Sequence, residues 1–310
     1  MELTVGQIEH RHAFFRLIDT DQLAHAYLLV GPSGVGKAEI ATWVAQRLLC
    51  ASSERPCGTC TTCVHVQSRV HPDVIRMNIE ADKEKISVES ARTLASELSK
   101  TSLFAGWKIA IIENGERLSP SAANALLKTI EEPTPKTVIL ITTNTLHGVL
   151  PTIVSRCAVI RCGKVSDEEL RDALQAYVAD PVTLDRIVSL ADGRPQRAAV
   201  LLADDGELAS EERYASFAQA VLTSGLTDRL RSVDEFIRSL PKDPKDRVVV
   251  RQMVRECIGV LSRKSRAVTR HPDANTAQLE WLHVLAQAPA LIDANVAPRT
   301  ILEAFAMSIP

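Results

Sequence analysis

Short apolar runs alternate with amphipathic segments over the first half of the chain, and this alternation predicts strands separated by helices. The apolar runs are short and rich in β-branched residues, which favours buried strands over helices. The predicted strands are Ala26–Val30, Val74–Met77, Lys108–Ile112, Val138–Thr142 and Ala158–Arg161. The predicted helices are Glu39–Leu49, Ser87–Lys100 and Ser119–Ile130. Strands that alternate with helices in this way predict an α/β domain with a parallel sheet and crossover helices.

The pattern changes after Gly163, because only helical periodicity follows from Ser166 to Pro310. Turn-forming residues interrupt this periodicity at several points, which indicates a series of separate helices. The change of pattern predicts three domains. Their bounds are 1–163 for the α/β domain, 164–207 for a small helical domain and 208–310 for an all-α domain.

The composition is that of an ordinary globular protein and argues against several classes. Of the 310 residues, 45% are hydrophobic, which is enough for a sizeable core. The formal net charge of −2 argues against a strongly basic nucleic-acid coat and against an acidic tail. Aromatic residues make up 4%, which argues against stacking platforms for single strands. No apolar run reaches the roughly 18–20 residues of a membrane helix, and the first residues show no secretory signal, so we expect a cytoplasmic protein without a membrane partner.

Residues 31–37 read GPSGVGK between a predicted strand and a predicted helix, which is the context of a phosphate-binding loop. Backbone N–H groups at the glycines turn towards a phosphate, and the lysine reaches its terminal oxygens. The candidate nucleotide-binding residues of the loop are Gly31, Gly34, Gly36 and Lys37. Ala38 stands where the motif has the hydroxyl that ligates Mg²⁺. We therefore expect weak or non-hydrolytic binding of ATP or ADP, with the use of Mg²⁺ open and a glycine-rich turn without a ligand as the alternative.

An acidic position is also expected where the strand Lys108–Ile112 ends. P-loop ATPases place an acid there to hold Mg²⁺ and, in many, a second acid to polarise the attacking water. Glu113 can take the first role, but Asn114 occupies the second position and cannot accept a proton. Glu116 lies two residues further on and would have to reach back. Together with Ala38, this pattern indicates the fold of an ATPase whose hydrolytic chemistry is dismantled.

Four of the seven cysteines fall within residues 50–63 and form the pattern C-x6-C-x2-C-x2-C. Four thiolates at about 2.3 Å from one ion close a tetrahedral zinc site without an open position, so we expect a structural zinc. An iron–sulfur cluster uses similar spacings and stays an alternative, as do chance clustering and disulfides, which an intracellular protein disfavours. The nearby His65 and His71 are not needed as ligands and are expected at the surface. The candidate ligands are Cys50, Cys57, Cys60 and Cys63.

Two basic features have an ordinary explanation beside a functional one. Arg156 lies on a turn between the last two predicted strands, where a lone arginine is usually a solvated surface charge. Residues 251–270 contain six basic residues and one acid. We interpret this stretch as a solvated helix face, with contact to a phosphate or an acidic partner as the alternative.

Several strings of this sequence resemble the bacterial AAA+ clamp-loader family of DNA polymerase III, and most closely its delta-prime branch. They are the segment HAYLLVGPSGVGK, the four-cysteine insert, the string NALLKTIEEP at residues 124–133 and the triplet SRC around Arg156. These strings cover the first half of the chain, and NALLKTIEEP is the most specific. The related gamma/tau branch shares the layout but keeps the residues that hold Mg²⁺ and polarise water. Ala38 and Asn114 therefore favour the delta-prime branch.

The resemblance implies a fold and a role. The fold is an AAA+ P-loop domain with a zinc-binding insert, followed by a small helical lid and an all-α collar. The role is that of a stator in a five-subunit ring, part of the polymerase holoenzyme, which loads a sliding clamp onto primed DNA. The partners would be gamma/tau and delta subunits, with the clamp and the DNA reached through the complex. The chain would have no independent ATPase activity but would supply Arg156 in trans to ATP on a neighbouring subunit.

The resemblance also assigns roles to other segments. Thr143 falls in the first sensor region of the family, and Arg197 lies near the place of its second sensing arginine, in the lid. The segment 208–310 resembles the collar by position and helicity. One alternative is an active ATPase of the gamma/tau type. A second is a zinc-module nucleic-acid binder that acts alone, against which the net charge and the sparse aromatic residues argue.

Overall fold

The computed structural model describes residues 6–79, 85–102, 106–239, 258–261, 284, 287, 288, 291 and 296–309. The chain divides into two compact units, Met1–Ala203 and Asp204–Pro310. The domain bounds after 163 and 207 stay predictions, and the basic residues of the stretch 251–270 lie outside the described residues. In the part of the chain that is described, no helix is both long and apolar enough to cross a membrane.

A parallel five-stranded sheet lies at the centre of the described part of the first unit. Its strands are Ala26–Val30 (β1), Val74–Met77 (β2), Lys108–Ile112 (β3), Thr137–Thr143 (β4) and Ala158–Arg161 (β5). The strand order is β2-β3-β4-β1-β5, and each neighbouring pair is parallel. All five predicted strands are confirmed, and β4 is longer than predicted by one residue at each end. The sheet is thus the parallel α/β sheet with crossover helices that the sequence predicts.

Helices connect the strands and cover both faces of the sheet. Those of the first unit are Ile8–Asp19 (α1), Lys37–Leu49 (α2), Thr61–Gln67 (α3), Val88–Ser99 (α4), Pro120–Glu131 (α5), Pro151–Val154 (α6), Asp167–Leu174 (α7), Pro181–Ala191 (α8) and Pro195–Ala203 (α9). Single 3-10 turns lie at Gly115–Arg117 and Leu146–Gly148. The sequence did not predict α1, α3 or α6. Two of these, α3 and α6, are too short to show a helical period, and α1 fully buries only Phe14.

Serine caps fix where two of the crossover helices begin. The Ser87 hydroxyl accepts a hydrogen bond from the Ser90 N–H at 3.2 Å, and the Ser119 hydroxyl accepts one from the Ala122 N–H at 3.1 Å. Each cap satisfies a backbone donor that has no partner within the first turn of its helix. The predicted starts of α4 and α5 are therefore confirmed.

The strands are apolar along their whole length because both faces of the sheet are covered. On one face, Leu29 and Ile111 belong to a core shared with α1 and α2. On the other face, Leu28 and Ile112 belong to a core shared with α4 and α5. A shift of one residue in strand register would exchange the two faces, so the two cores together hold the register. In this arrangement the carboxyl ends of β1, β3 and β4 lie at one edge of the sheet.

The second unit is helical in its described residues. Its helices are Asp205–Thr223 (α10), Leu226–Ser239 (α11) and Pro298–Ser308 (α12). They enclose a hydrophobic core of their own, in which the rings of Phe217 and Phe236 stack at a centroid distance of 4.6 Å. The buried Arg229 donates a hydrogen bond of 2.7 Å to the carbonyl of Ile309, which ties α11 to the end of α12. Helix α10 starts at Asp205 and runs across the predicted boundary after residue 207.

Candidate nucleotide site and metal centre

The phosphate-binding loop leaves β1 and enters α2 at Lys37, as the sequence predicts. Gly34 and Gly36 have left-handed φ angles of 85° and 104°, which residues with a side chain rarely adopt. Gly31 meets a different constraint, because a Cβ at this position would lie 2.0 Å from the carbonyl oxygen of Cys162. The loop conformation and its packing thus explain these glycines even before a phosphate is considered.

Lys37 lies inside the loop and is only 8% exposed. Its Nζ donates hydrogen bonds to the carbonyl oxygens of Gly31 at 2.6 Å and Pro32 at 2.8 Å, and to Oδ1 of Asn144 at 3.2 Å. The ammonium group is thereby oriented at the carboxyl edge of the sheet, where a loop phosphate would be bound. A phosphate would have to replace some of these oxygen atoms as the acceptor.

Glu116 joins this network although the sequence placed it beyond the usual acidic position. The 3-10 turn Gly115–Arg117 brings the side chain back, and its Oε1 accepts a hydrogen bond of 2.7 Å from Nδ2 of Asn144. Burial lowers the pKa of Lys37, and the nearby negative charge of Glu116, like that of Cys162 when it is ionised, acts in the opposite direction. The structure therefore provides a carboxylate near Lys37 that the strand-end pattern did not assign.

Thr143 contributes to the site through its backbone. Its carbonyl oxygen accepts a hydrogen bond of 3.1 Å from the N–H of Gly31, whereas its hydroxyl donates to the carbonyl of Thr145 at 2.9 Å. Within the predicted sensor region, Asn144 is the residue whose side chain contacts Lys37. The side chain in the sensor position is thus that of the adjacent Asn144, whereas the sequence predicts Thr143 for it.

Glu113 lies at the end of β3 as predicted, but its carboxylate is paired with arginines. Its Oε1 is 3.3 Å from Nη1 of Arg76 and 3.4 Å from Nη1 of Arg69. Asn114 has a left-handed φ of 59°, and its N–H donates to the Thr142 hydroxyl at 3.3 Å. Active P-loop sites bind Mg²⁺ through the loop hydroxyl and a free strand-end acid. With alanine at position 38 and Glu113 paired, the residues here do not fit Mg²⁺.

Helix α9 begins directly against the phosphate-binding loop. The N–H of Gln196 donates to the carbonyl of Gly34 at 3.1 Å, and its side-chain amide donates to Glu39 in the first turn of α2. A Cβ at Gly34 would lie 3.6 Å from the backbone nitrogen of Arg197 and 3.4 Å from Cβ of Arg194. The structure therefore brings Arg197 to the loop as expected from its position. It also adds Arg194 and Gln196, which only the folded chain brings to the loop.

Arg156 lies at the opposite edge of the sheet from the loop. It precedes β5, whose residue Ala158 is in register with Tyr27 near the start of β1. Gly31 is four residues further along β1 than Tyr27. At a rise of about 3.3 Å per residue, the start of β5, which follows Arg156, is therefore about 13 Å from Gly31 along the strand direction. The structure thus separates this arginine from the other candidate nucleotide-binding residues.

The Arg156 guanidinium is held on its own chain and is partly exposed. Its Nε pairs with the carboxylate of Glu131 at the end of α5. Its Nη1 donates to the carbonyl of Thr152 at 2.9 Å and to the hydroxyl of Ser155 at 3.2 Å. The side chain remains 36% exposed. These contacts fix the direction of the guanidinium and leave it accessible to another molecule.

The four predicted metal ligands form one group. Their sulfur atoms all lie within 4.8 Å of one another. The Cys50–Cys57, Cys50–Cys60 and Cys57–Cys63 Sγ distances are 3.7, 3.9 and 4.0 Å. A tetrahedron with zinc–sulfur bonds of about 2.3 Å has edges of about 3.8 Å, so these residues fit a single zinc ion. The distances are much longer than a disulfide bond of about 2.0 Å, and the four cysteines are free.

Local structure prepares these thiols for a cation. The N–H groups of Cys60 and Thr59 donate to Cys57 and lower the pKa of its thiol to about 6. Burial raises the pKa of the Cys63 thiol to about 12, which a bound cation would offset. Cys50 ends α2, whose Gln46 donates a hydrogen bond of 3.1 Å to the carbonyl of Cys63. The cluster is therefore built onto the end of α2 that lies away from the loop.

One expectation about the neighbouring histidines is wrong. His65 is exposed as predicted, but His71 is only 5% exposed. It lies just before β2, and its Nδ1 accepts a hydrogen bond of 3.2 Å from the N–H of Asp73. Burial lowers the pKa of His71. The residue type by itself does not reveal this burial.

Comparisons with known proteins agree on one family. The family model described as DNA polymerase III, delta subunit, matches residues 6–166, just over half of the chain. The DNA polymerase III subunit delta' of Pseudomonas aeruginosa is 37% identical over 183 residues, covering 56% of this chain and 54% of that protein. The subunit tau of Bacillus subtilis is 28% identical over 257 residues, covering 80% of this chain and 44% of that protein. The chain spans about half the length of the curated relatives it matches.

A solved structure supports the fold. A DNA polymerase III gamma subunit-related protein from Thermotoga maritima superposes with a TM-score of 0.51 at 18% identity. The superposition covers 96% of this chain and 97% of that protein. At this level of identity the similarity supports the architecture and not a shared activity.

Proposed function

Because the chain belongs to the DNA polymerase III delta subunit family of clamp-loader proteins, we propose that it is a delta-prime-like stator subunit of the replicative clamp loader. In this role it assembles with gamma/tau and delta subunits into a hetero-pentamer that places the sliding clamp on primed DNA. It does not hydrolyse ATP itself but supplies Arg156 in trans to the ATP site of a neighbouring subunit. The proposal implies a protein of the cytoplasm.

The position of Arg156 is the observation that carries this proposal. An arginine that neutralises charge on a transferring phosphoryl group has to lie within hydrogen-bond distance of that group. By strand register, the start of β5 is about 13 Å from the loop along the strand direction and Arg156 precedes it, which is farther than an arginine side chain extends. Its partly exposed guanidinium is nevertheless available to a second molecule. The arrangement supports action on a neighbour.

The phosphate-binding edge supports the absence of hydrolysis. Position 38 lacks the hydroxyl that ligates Mg²⁺, and Asn114 stands where a water-polarising acid is needed. Glu113 is occupied by Arg76 and Arg69. Loss of the general base by itself lowers the rate about 10²–10⁴-fold, so these departures together favour a subunit without turnover.

The remaining parts take structural roles in the proposal. The Cys50–Cys63 segment holds a zinc ion with four protein ligands and no position for a substrate, which suits stabilisation of the fold. The helices of the second unit, which have a core of their own, form the collar that assembles the ring. Nucleotide, if bound at the loop, stays unhydrolysed.

The proposal is tested by reconstituting the loader with the wild-type chain or with Arg156→Ala, and measuring clamp-stimulated ATPase and clamp placement on primed DNA. We expect clamp placement to fall more than total hydrolysis, because one of several active sites loses a group worth about 10³–10⁵ in rate. Arg156→Lys should not restore loading, since an ammonium lacks the planar fork that grips phosphate oxygens in pairs.

Arg161→Ala is the matched control, because it removes an exposed arginine from the other end of β5. This variant should assemble and load clamps like the wild type. If the Arg156→Ala ring assembles normally and loads clamps at the wild-type rate, Arg156 is a surface charge and the role in trans is wrong.

One observation favours the active gamma/tau-type ATPase as a second candidate. Glu116 contacts Asn144, which contacts Lys37, so a carboxylate is present near the loop lysine. Phosphate release by the isolated chain, measured without clamp or DNA, separates the two candidates. The stator should show only background release, whereas turnover of about one per second or faster would favour the ATPase.

A further inference from the structure

Arg76 places a charge at an inward-facing position of β2. Val74, which shares its face of the strand, is buried in the core formed with α2. The Arg76 side chain is 12% exposed, and a charge at such a depth is costly unless it is paired. It is paired, because Nη1 lies 3.3 Å from Oε1 of Glu113 and Nη2 donates to the hydroxyl of Thr42 at 3.0 Å.

These contacts place the guanidinium between the two elements that hold Mg²⁺ in an active P-loop site. Thr42 lies one turn along α2 from Ala38, and its hydroxyl donates to the Ala38 carbonyl at 2.9 Å. The Thr42 hydroxyl therefore connects Arg76 to position 38. At this position the phosphate-binding motif normally has a hydroxyl that ligates Mg²⁺. On its other side, the guanidinium contacts Glu113, the strand-end acid.

We propose that Arg76 is a built-in cation that takes the place of Mg²⁺, so that the loop of this chain binds nucleoside di- or triphosphates without a divalent metal. The inference rests on the proposed function of a subunit that does not hydrolyse ATP and deepens it. The phosphates are received by the backbone of the Gly31–Lys37 loop and by Lys37, with the start of α9 beside them.

The charges around Glu113 oppose the entry of a metal ion. Both carboxylate oxygens have partners, since Oε1 faces Arg76 and Arg69 and Oε2 accepts from Nδ2 of Asn78 at 3.4 Å. One carboxylate thus faces two guanidinium groups, and Glu39 is a further negative charge that acts on Arg76. Mg²⁺ would meet repulsion from both arginines and would have to displace them from a carboxylate that is only 15% exposed.

The experiment measures binding of N-methylanthraniloyl-ADP and of its ATP counterpart to the full zinc-loaded chain, with and without millimolar Mg²⁺. Buffers are freed of divalent metal on a resin rather than with a chelator, because a chelator would also remove zinc from the cysteine cluster. We expect the affinity of the wild-type chain to change by less than about threefold between the two buffers. Binding that requires Mg²⁺, or no binding in either buffer, would overturn the inference.

Two variants separate the effect of Arg76 from that of the missing hydroxyl. Ala38→Ser restores the motif's hydroxyl but leaves Arg76 in place, so its binding should stay independent of Mg²⁺. The double variant Ala38→Ser with Arg76→Met frees Glu113 while keeping an apolar stem, and Mg²⁺ should strengthen its binding about tenfold or more. If Ala38→Ser by itself gains this dependence, the missing hydroxyl is the whole cause and Arg76 does not replace the metal.

The wild-type and Ala38→Ser arms decide the question even if the double variant does not fold. The experiment also distinguishes a failure of this inference from a failure of the proposed function. Mg²⁺-dependent binding without turnover would overturn the built-in cation and leave the stator role intact. Turnover by the wild-type chain would instead contradict the proposed function.

Discussion

Single charged residues at the phosphate-binding edge have partners within the chain itself. Lys37 donates to loop carbonyls and to Asn144, and Asn144 in turn donates to Glu116. A phosphate at this edge therefore exchanges one set of hydrogen bonds for another, and the free energy gained is only the difference between the two sets, in which each bond contributes about 0.5–1.5 kcal/mol. Affinity for a nucleotide then depends on how the backbone N–H groups of the loop and the start of α9 add to the contribution of Lys37.

Glu131 is predicted to position Arg156 for its neighbour. Glu131→Gln removes the charge that pairs with Nε of Arg156. Exposed ion pairs contribute about 0–1 kcal/mol, so clamp loading by the reconstituted ring should fall by up to about fivefold and less than with Arg156→Ala. The neighbouring exposed Glu132 provides the control, and Glu132→Gln should load clamps like the wild type. Equal effects of the two substitutions would contradict a positioning role for Glu131.

Gly31 is predicted to be required for packing and not only for a phosphate. In Gly31→Ala, the new Cβ would lie 2.0 Å from the backbone oxygen of Cys162, which cannot move without shifting the strand end. The free energy of unfolding should fall by about 1–3 kcal/mol or more in thermal or denaturant unfolding without nucleotide. Gly163→Ala is the control, since nothing lies within 4 Å of its Cβ, and its effect should stay within about 0.5 kcal/mol. Equal stability of the two variants would show that the loop can relax around the added methyl group.

At the scale of elements, the cysteine segment links two helices that differ in what stabilises them. Helix α2 runs from the phosphate-binding loop through the inner core to Cys50. Helix α3 has seven residues and is capped at its start by Cys60, whose sulfur accepts a hydrogen bond from the Cys63 N–H at 3.4 Å. A helix of this length is unstable without tertiary support. A metal ion bound by Cys60, which caps α3, and by Cys63 in its first turn would supply that support.

One zinc ion per chain is predicted for the purified protein. The double substitution Cys60→Ser and Cys63→Ser should abolish zinc in elemental analysis and increase amide hydrogen exchange around α3. The five-stranded sheet should remain folded, because its two cores are formed mainly by the strands and by α1, α2, α4 and α5, while α3 contributes Val66 to the inner core. Cys157→Ser, outside the cluster, should retain zinc. Iron in place of zinc, or a native protein without metal, would contradict this site.

At the scale of the whole molecule, each unit has its own hydrophobic core. The first unit has a core on each face of its sheet, and the second has a core around Phe217, Phe236 and Phe305. A domain with its own core is in principle able to fold by itself. Folding and ring assembly can therefore be assigned to different parts of the chain.

The segment 1–203 is predicted to fold by itself with its zinc. It should unfold in one cooperative transition and contain one zinc per chain, because the cores of the first unit are complete within it. It should fail to enter the reconstituted loader, since the proposed collar is absent. A fragment that is unfolded would contradict the independence of the first unit, and a fragment that assembles normally would contradict the collar.

The sequence by itself determined the features that depend on residues close together in the chain. The five strands follow from short β-branched runs, the starts of α4 and α5 from Ser87 and Ser119, and the phosphate-binding loop from its glycines and Lys37. The four-cysteine group follows from its spacing, because short turns leave little freedom in where the thiols point. In each case the pattern is local, and local patterns fix local structure.

Only the tertiary structure decided which charged groups meet. Arg76 and Glu113 are 37 positions apart in the chain, Arg156 and Glu131 are 25 apart, and Lys37 and Asn144 are 107 apart. Each pair forms because the strand order brings two chain ends to one edge of the sheet, and hydrophobic periodicity does not encode that order. The same order places Arg156 at one edge and the loop at the other. The order of the strands thus decides which functional groups meet at each edge of the sheet. The residues within each strand decide where that strand forms.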